Sequence, residues 1–116
     1  MSKEWQPNAL HILDCIAKIQ RIQQRGDITQ DEVLYDAALR NLQTLSEATQ
    51  HLPVALKQQF ATIPWKQISG FRNILVHDYL GEIDAKTILT VVQVHLPPLA
   101  IVIETMLNNA SKNNPL

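Results

Sequence analysis

TILTVVQV, Thr87 to Val94, is the stretch on which the fold class turns. It is dominated by β-branched residues, and propensity alone favours a strand. A strand needs a partner, however, and an isolated pair is marginal even when one exists. Every other apolar segment of the chain repeats at three or four residues, so Thr87–Val94 would be a lone strand among helices. The stretch therefore reads as a helix. Asp84 can cap its start ahead of Ala85. The pair Pro97-Pro98 is expected to break or kink it, because proline removes a donor and collides with the preceding turn. A last helix follows through Ile101, Glu104 and Leu107, with residues 110–116 expected to fray.

Working outward toward the N-terminus, the same periodicity recurs. Ile12, Ile16, Ile19 and Ile22 mark one face, with Lys18, Arg21 and Arg25 between them. This is an amphipathic helix with Pro7 near its start and Gly26 at its end. Thr29 with Glu32 three residues on predicts a capping box for the next helix. Leu34, Ala38, Leu42, Leu45 and Leu52 form its apolar face, and Pro53 limits it. VALKQQFATI, between Pro53 and Pro64, reads as a short helix or an ordered loop. A further helix begins near Trp65, with Ile68, Phe71, Ile74 and Leu75 as its stripe and Gly81 just past its end. The fold class that follows is all-α, an antiparallel bundle of four to five helices in one domain, residues 1–116.

Composition agrees. Of 116 residues, 46% are hydrophobic, 18% are charged and only 3 are glycine. Such a chain can bury a core, and it favours helices over a turn-rich sandwich. The formal charge is −1, with no basic tract, which argues against a long groove for duplex nucleic acid. Cys15 is the single cysteine, so no intrachain disulfide can form, as suits a reducing cytoplasm. MSKEWQPNALHIL lacks the order of a signal peptide. LPPLAIVIETML, interrupted by Pro97, Pro98 and Glu104, is expected to be too short to span a bilayer. A cytoplasmic, soluble protein is the expectation.

The chemistry concentrates in FRNILVHDYLGEI, Phe71 to Ile83. On a helix with Phe71 at the centre of the apolar stripe, Asn73 and His77 fall on the far side. Arg72 and Tyr79 stack two turns apart on one flank. Arg72 and His77 lie about 140° apart, a gap that a long guanidinium, a kink or a second subunit could close. Polar residues on such a face are ordinary. Arg-x4-His alone would arise by chance in roughly one such chain in seven, but a tyrosine two residues later reduces this to roughly two in a thousand.

With these residues the chain resembles the HEPN-domain toxins, and among them the HepT group. R72-N-I-L-V-H77-D-Y79 is similar to that family's R-x4-H-x-Y signature. PWKQISGFRNILVHDYLGEID is similar to its Pro-Trp, Arg-Asn, His-x-Tyr, Ile-Asp progression. Arg40-Asn41-Leu42 with Ser46-Glu47-Ala48 resembles its Arg-Asn-Leu and Gly-Glu-Ala in the preceding helix, Ser46 standing in place of the usual glycine. His95-Leu96-Pro97-Pro98-Leu99 resembles its Leu-Pro-x-Leu helix break.

The resemblance implies a HEPN-like homodimer and a metal-independent endoribonuclease, with two motifs facing a shared cleft. Arg72 and His77 would be the catalytic pair and Asn73 their polar helper. Tyr79 would be the residue to which a minimal nucleotidyltransferase (MNT) antitoxin transfers AMP, silencing the toxin. RNA, tRNA or mRNA, would be the substrate, with a 2′,3′-cyclic phosphate as product and no cofactor. The residue chemistry is compatible. Histidine moves protons near neutrality, and arginine stays charged and grips phosphate oxygens bidentately. Glu47, Asp78 and Arg40 are candidate supporting residues. Glu47 reads either as a surface residue or as a partner of Arg72. Asp78 could orient His77, although adjacent helix residues point different ways and a solvated carboxylate is the plainer reading.

Other candidates read more plainly. His11 and Cys15, one turn apart, lack the further ligands that zinc requires, so no metal is expected. Cys15 reads as a small buried residue. Trp65 reads as packing at a helix start, with base stacking as the lesser role. His51 and His95, beside proline breaks, read as surface or helix-end residues. Two other functions stay open from the residues: a HEPN module that binds RNA or nucleotide without cutting it, and a structural subunit that docks the antitoxin.

Overall fold

The computed structural model describes residues 4–70 and 85–113, and these are helical apart from short turns and connections, with no strand among them. Six α-helical segments follow in chain order. They are α1 (Trp5–Arg25), α2 (Glu32–Thr49), α3 (Val54–Gln58), α4 (65–70 in its described part), α5 (Ala85–Thr90) and α6 (Leu96–Asn113). A π-helical turn, Val91–His95, joins α5 to α6.

The core is one apolar cluster. Ile12, Ile16 and Ile19 of α1 meet Ala38, Leu42 and Leu45 of α2, and Leu99, Ile103 and Met106 of α6 complete it. These positions recur every three or four residues, so each helix lays one stripe against its neighbours. Contacts of α1 with both α2 and α6 make it the central helix of the described bundle. Ile28, Leu52 and Ile63, from the connections between helices, close the ends of the cluster.

The Thr87–Val94 stretch is helical, as its lack of a partner strand requires, and Ile88 and Val92 are buried. The proline pair does not break the helix. Pro97 and Pro98 do not end the helix but sit in the first turn of α6, where missing donors are tolerated. The adjustment comes one turn earlier, where the helix widens and Leu96 N–H donates to the Val91 carbonyl five residues back. Neither proline can serve the carbonyl four residues before it, and each ring would crowd that carbonyl. A π-turn relieves the conflict without stopping the chain. One continuous helix, Ala85–Lys112, 28 residues long, results. By length and composition alone it is long and apolar enough to cross a membrane, contrary to the expectation of an interrupted run. Core helices of bundles meet the same criterion, and here Ile88, Val92, Leu96, Leu99, Ile103 and Met106 turn one stripe into the protein core.

Two boundaries also differ. The cap of α2 is Asp31, whose carboxylate accepts from Val33 N at 2.9 Å and Leu34 N at 3.3 Å. Thr29, expected to cap, instead donates its backbone N–H and its hydroxyl to Asp27 Oδ1, at 2.9 and 2.7 Å. A carboxylate two residues upstream captures the threonine, and a second carboxylate is left to cap the helix. At its other end α2 stops at Thr49, and Leu52 is buried from the turn beyond it. The last helix, α6, runs through Asn113. The segment 54–58 takes the short-helix form. Phe71, Ile74, Leu75, Gly81 and Asp84 lie outside the described residues.

Candidate functional site

The helix that leads into the Arg72–Tyr79 motif is set in place by two anchors. The first is its start. Ile68 N–H donates to the Pro64 carbonyl at 3.0 Å, closing the first turn, and Trp65 N–H donates to the Ile63 carbonyl at 2.8 Å. The Trp65 indole packs against the core, and its Nε1–H donates to the Phe60 carbonyl at 3.0 Å. This is the packing role read from the sequence.

The second anchor is a polar seam between α2 and α4. The Ser46 hydroxyl donates to the Ile68 carbonyl. Thr49 Oγ1 lies 2.9 Å from Ser69 Oγ and donates to the Ser46 carbonyl at 2.6 Å. Gln50 Nε2 donates to the Ser69 carbonyl at 2.9 Å. Residues 46, 49 and 50 follow helical spacing, so one stripe of α2, with its C-cap Gln50, makes all these bonds. Ser46 and Thr49 are buried, where a hydrogen bond is directional and costly to lose. Ser46, which departs from the glycine of the resembled pattern, is thus a seam residue. Its signal was present in the sequence as polar positions inside an apolar face, but the partner carbonyls carry no sequence signal.

Beside the seam is a cavity of about 260 Å³ lined by Leu42, Leu45, Ser46, Ile68, Val91 and His95, among others. His95 therefore closes the π-turn and borders this cavity while remaining exposed. His51 is exposed in the turn after α2.

Arg72, Asn73, His77, Asp78 and Tyr79 lie outside the described residues. Arg40 and Glu47 are described. Both are exposed on α2, seven residues apart and so close to one line along the helix. Glu47 falls about 60° around α2 from Gln50, on the flank of the face that holds α4. Its pairing with Arg72 involves a residue outside the described set. Asn41, next to Arg40, turns inward along its own helix and donates Nδ2–H to the Ala37 carbonyl at 2.9 Å.

Cys15 is buried, at 1% exposure, with its Sγ 4.0 Å from His11 Nε2. Burial pushes its thiol above the ordinary range, the nearby Lys18 opposing this and Asp14 adding to it. Among the described residues no group of three His, Cys, Asp or Glu side chains is placed to hold a metal ion.

Comparison with known proteins adds the identity that geometry leaves open. Residues 12–106 match the family described as ribonuclease HepT-like, a span that encloses the whole Arg72–Tyr79 motif. A protein of Caldanaerobacter subterraneus subsp. tengcongensis named "Putative RNase" is 36% identical over 78 residues, covering 65% of this chain and 70% of that one. A Methanocaldococcus jannaschii protein named "Gamma-glutamylcyclotransferase and putative RNase" is 31% identical over 106 residues. That match takes in 89% of this chain but only 47% of the relative, so this chain spans about half of that protein's length. The "Probable ribonuclease HepT" of Thermococcus cleftensis is 29% identical over 73 residues, 63% of this chain and 66% of the relative. No solved structure gives a significant match. A helical bundle, an Arg-x4-His-x-Tyr sequence following α4, and a match over residues 12–106 converge on one conclusion: this chain belongs to the HepT-like ribonuclease family.

Proposed function

We propose that this chain is a metal-independent endoribonuclease acting as a homodimer, with Arg72 and His77 of both subunits facing one cleft. The observation that carries the reading is that the HepT-like ribonuclease match encloses Arg72, His77 and Tyr79 at the motif's spacing. His77 takes the proton from a ribose 2′-hydroxyl, whose oxygen then attacks the adjacent phosphorus. The bond to the 5′-oxygen breaks, and that oxygen leaves as a hydroxyl after receiving a proton. The products are a 2′,3′-cyclic phosphate and a 5′-hydroxyl end. Arg72 holds the phosphate oxygens as charge grows on them, and Asn73 adds a donor. Two subunits would also concentrate positive charge at one cleft on a chain whose formal charge is −1.

Tyr79 is the control point in this reading. An MNT-type nucleotidyltransferase antitoxin joins AMP from ATP to the Tyr79 hydroxyl and releases pyrophosphate. The added phosphate is anionic beside Arg72, and the adenosine occupies space that RNA needs. A toxin that acts on tRNA or mRNA belongs in the cytoplasm.

The test is incubation of the purified protein with RNA in EDTA. Cleavage should persist in chelator and leave cyclic phosphate ends. His77→Ala should abolish it, and Arg72→Ala should slow it by about a hundredfold, the usual effect of losing one oriented donor. Binding without cleavage by unmodified protein would replace the enzyme with a binding module. Mass spectrometry after incubation with the antitoxin and ATP should place the added AMP on Tyr79, and its appearance solely at another residue would refute that assignment.

A further inference from the structure

Acidic side chains are missing from a long central part of this chain. Between Glu47 and Asp78 stand Lys57, Lys66, Arg72, His51 and His77, with no Asp or Glu. A segment of formal charge +3 thus sits inside a chain of −1. No run of adjacent lysines announces it; the positive character comes from where carboxylates are lacking.

The described part of this segment brings its two lysines together. Lys57, from α3, and Lys66, from α4, line the same open depression of about 460 Å³ with Val54, Gln58, Trp65 and Ser69. Neither lysine pairs with a carboxylate among the described residues. Lys57 Nζ donates to the Thr49 carbonyl at 3.3 Å, which uses one of its three donors and leaves two. Lys66 is exposed. Trp65, held through Nε1 by the Phe60 carbonyl, gives the depression a fixed aromatic wall, and Ser69 is tied to Thr49. The cationic groups therefore stand on an anchored platform.

We infer that this depression is a phosphate-gripping surface for single-stranded RNA, in which Lys57 and Lys66 each hold a backbone phosphate other than the one cleaved. The inference rests on the proposed ribonuclease reading and names a binding surface for its substrate. Lysine suits the task because a compact ammonium attracts a phosphate without demanding a planar geometry, so the grip tolerates sequence. Charge complementarity selects a polyanion, and membership of a ribonuclease family selects RNA over the acidic surface of a protein partner.

The probe is a fluorescein-labelled single-stranded RNA, its binding followed by anisotropy at several salt concentrations. The protein is the full chain carrying His77→Ala, so that turnover does not intervene. Each single-strand phosphate contact contributes about 0.7 to the slope of log affinity against log salt. Combining Lys57→Gln with Lys66→Gln should lower that slope by about 1.4, and Lys66→Gln alone by about 0.7. Lys57→Arg with Lys66→Arg should keep the slope. Arg21→Gln with Arg25→Gln, exposed on α1, should leave it unchanged. Should the double glutamine variant lose its helical circular dichroism, the exposed Lys66→Gln change and the arginine pair decide the matter.

An unchanged slope in the folded Lys66→Gln variant overturns the surface, even if the wild-type chain cuts RNA. Loss of antitoxin binding with no change in RNA slope also overturns it, assigning the lysines to an acidic protein instead. If the slope falls as stated but wild-type protein never cleaves RNA, the surface stands and the catalytic reading fails.

Discussion

The seam between α1 and α6 and the seam between α2 and α4 join helices of one bundle by opposite means. The first is made of Ile12, Ile16, Ile19, Leu99, Ile103 and Met106, all buried and apolar. The second adds the hydroxyls of Ser46 and Thr49 and the amide of Gln50, aimed at Ile68 and Ser69. Apolar burial is strong but has no direction, so a helix held that way can turn slightly at small cost. A hydroxyl bonded to one backbone carbonyl fixes both rotation and height. The directional seam holds the helix that leads into Arg72 and His77. The difference suggests a division of labour: apolar contacts supply stability, and the polar seam fixes α4, the segment that precedes the motif in the chain.

The largest expected effect tests the apolar seam. Ile103 is fully buried, and Ile103→Ala should cost about 2–5 kcal/mol, lowering the Tm by about 10 °C or more. A thermal melt reads this directly. A loss below about 1 kcal/mol would mean that α6 contributes less than its burial indicates, and the contrast between the seams would collapse.

Ser46→Ala tests the polar seam and should be milder, about 1–2 kcal/mol in a urea melt, because the buried bond to the Ile68 carbonyl is lost without a large cavity. Its effect on RNA cleavage should exceed what that small instability explains, since α4 loses a constraint on its position. Equal effects on stability and turnover would reduce Ser46 to ordinary packing. Ser46→Gly is a sharper version: it restores the glycine of the resembled pattern while removing the same bond. If it cleaves as the serine protein does, the seam is dispensable for placing the motif.

These two seams also differ in how well the sequence announces them. Ile12, Ile16 and Ile19 declare a buried face by spacing alone, and the helical nature of Thr87–Val94 follows from the lack of any strand to pair with. The π-turn was not legible. Pro97-Pro98 signals a conflict, but whether a helix stops or widens depends on what the flanking turns gain by staying packed, and Val92, Leu96 and Leu99 are all buried. The Arg72–Tyr79 motif is legible as a pattern because its residue types are rare in combination. The Lys57–Lys66 surface is not, since it depends on two helices meeting and on carboxylates that are missing. Ser46 was legible as an oddity, while its acceptor, a backbone carbonyl 22 positions away, is a product of the fold.

A smaller effect is expected at the start of α2. Asp31→Ala removes the acceptor for two helix N–H groups and should cost about 1 kcal/mol. Thr29→Ala should cost less, because Thr29 serves the turn and not the helix. Reversed magnitudes would restore Thr29 as the cap and show that the Asp31 bonds contribute little in solution.

The smallest effect concerns Asp27, whose hydrogen bonds are solvent-exposed and so mark the weak limit of polar fastening. The hydroxyl and backbone N–H of Thr29 hold its carboxyl below the usual carboxylate range, burial opposing them slightly. A lowered folded pKa means that the unfolded chain binds the proton more readily. The contribution to stability is therefore present above the unfolded carboxylate pKa and is lost as pH falls through the folded one. Melts of the wild type and Asp27→Asn across the acid range should converge at the low end and separate slightly toward neutrality, with the wild type more stable. The Ser46–Ile68 bond joins two groups that do not titrate, so its share of the Ser46→Ala difference should not change over that range. If both differences moved together with pH, the buried seam would depend on a nearby ionised group, and hydroxyl-to-carbonyl bonding alone would no longer account for how α4 is held.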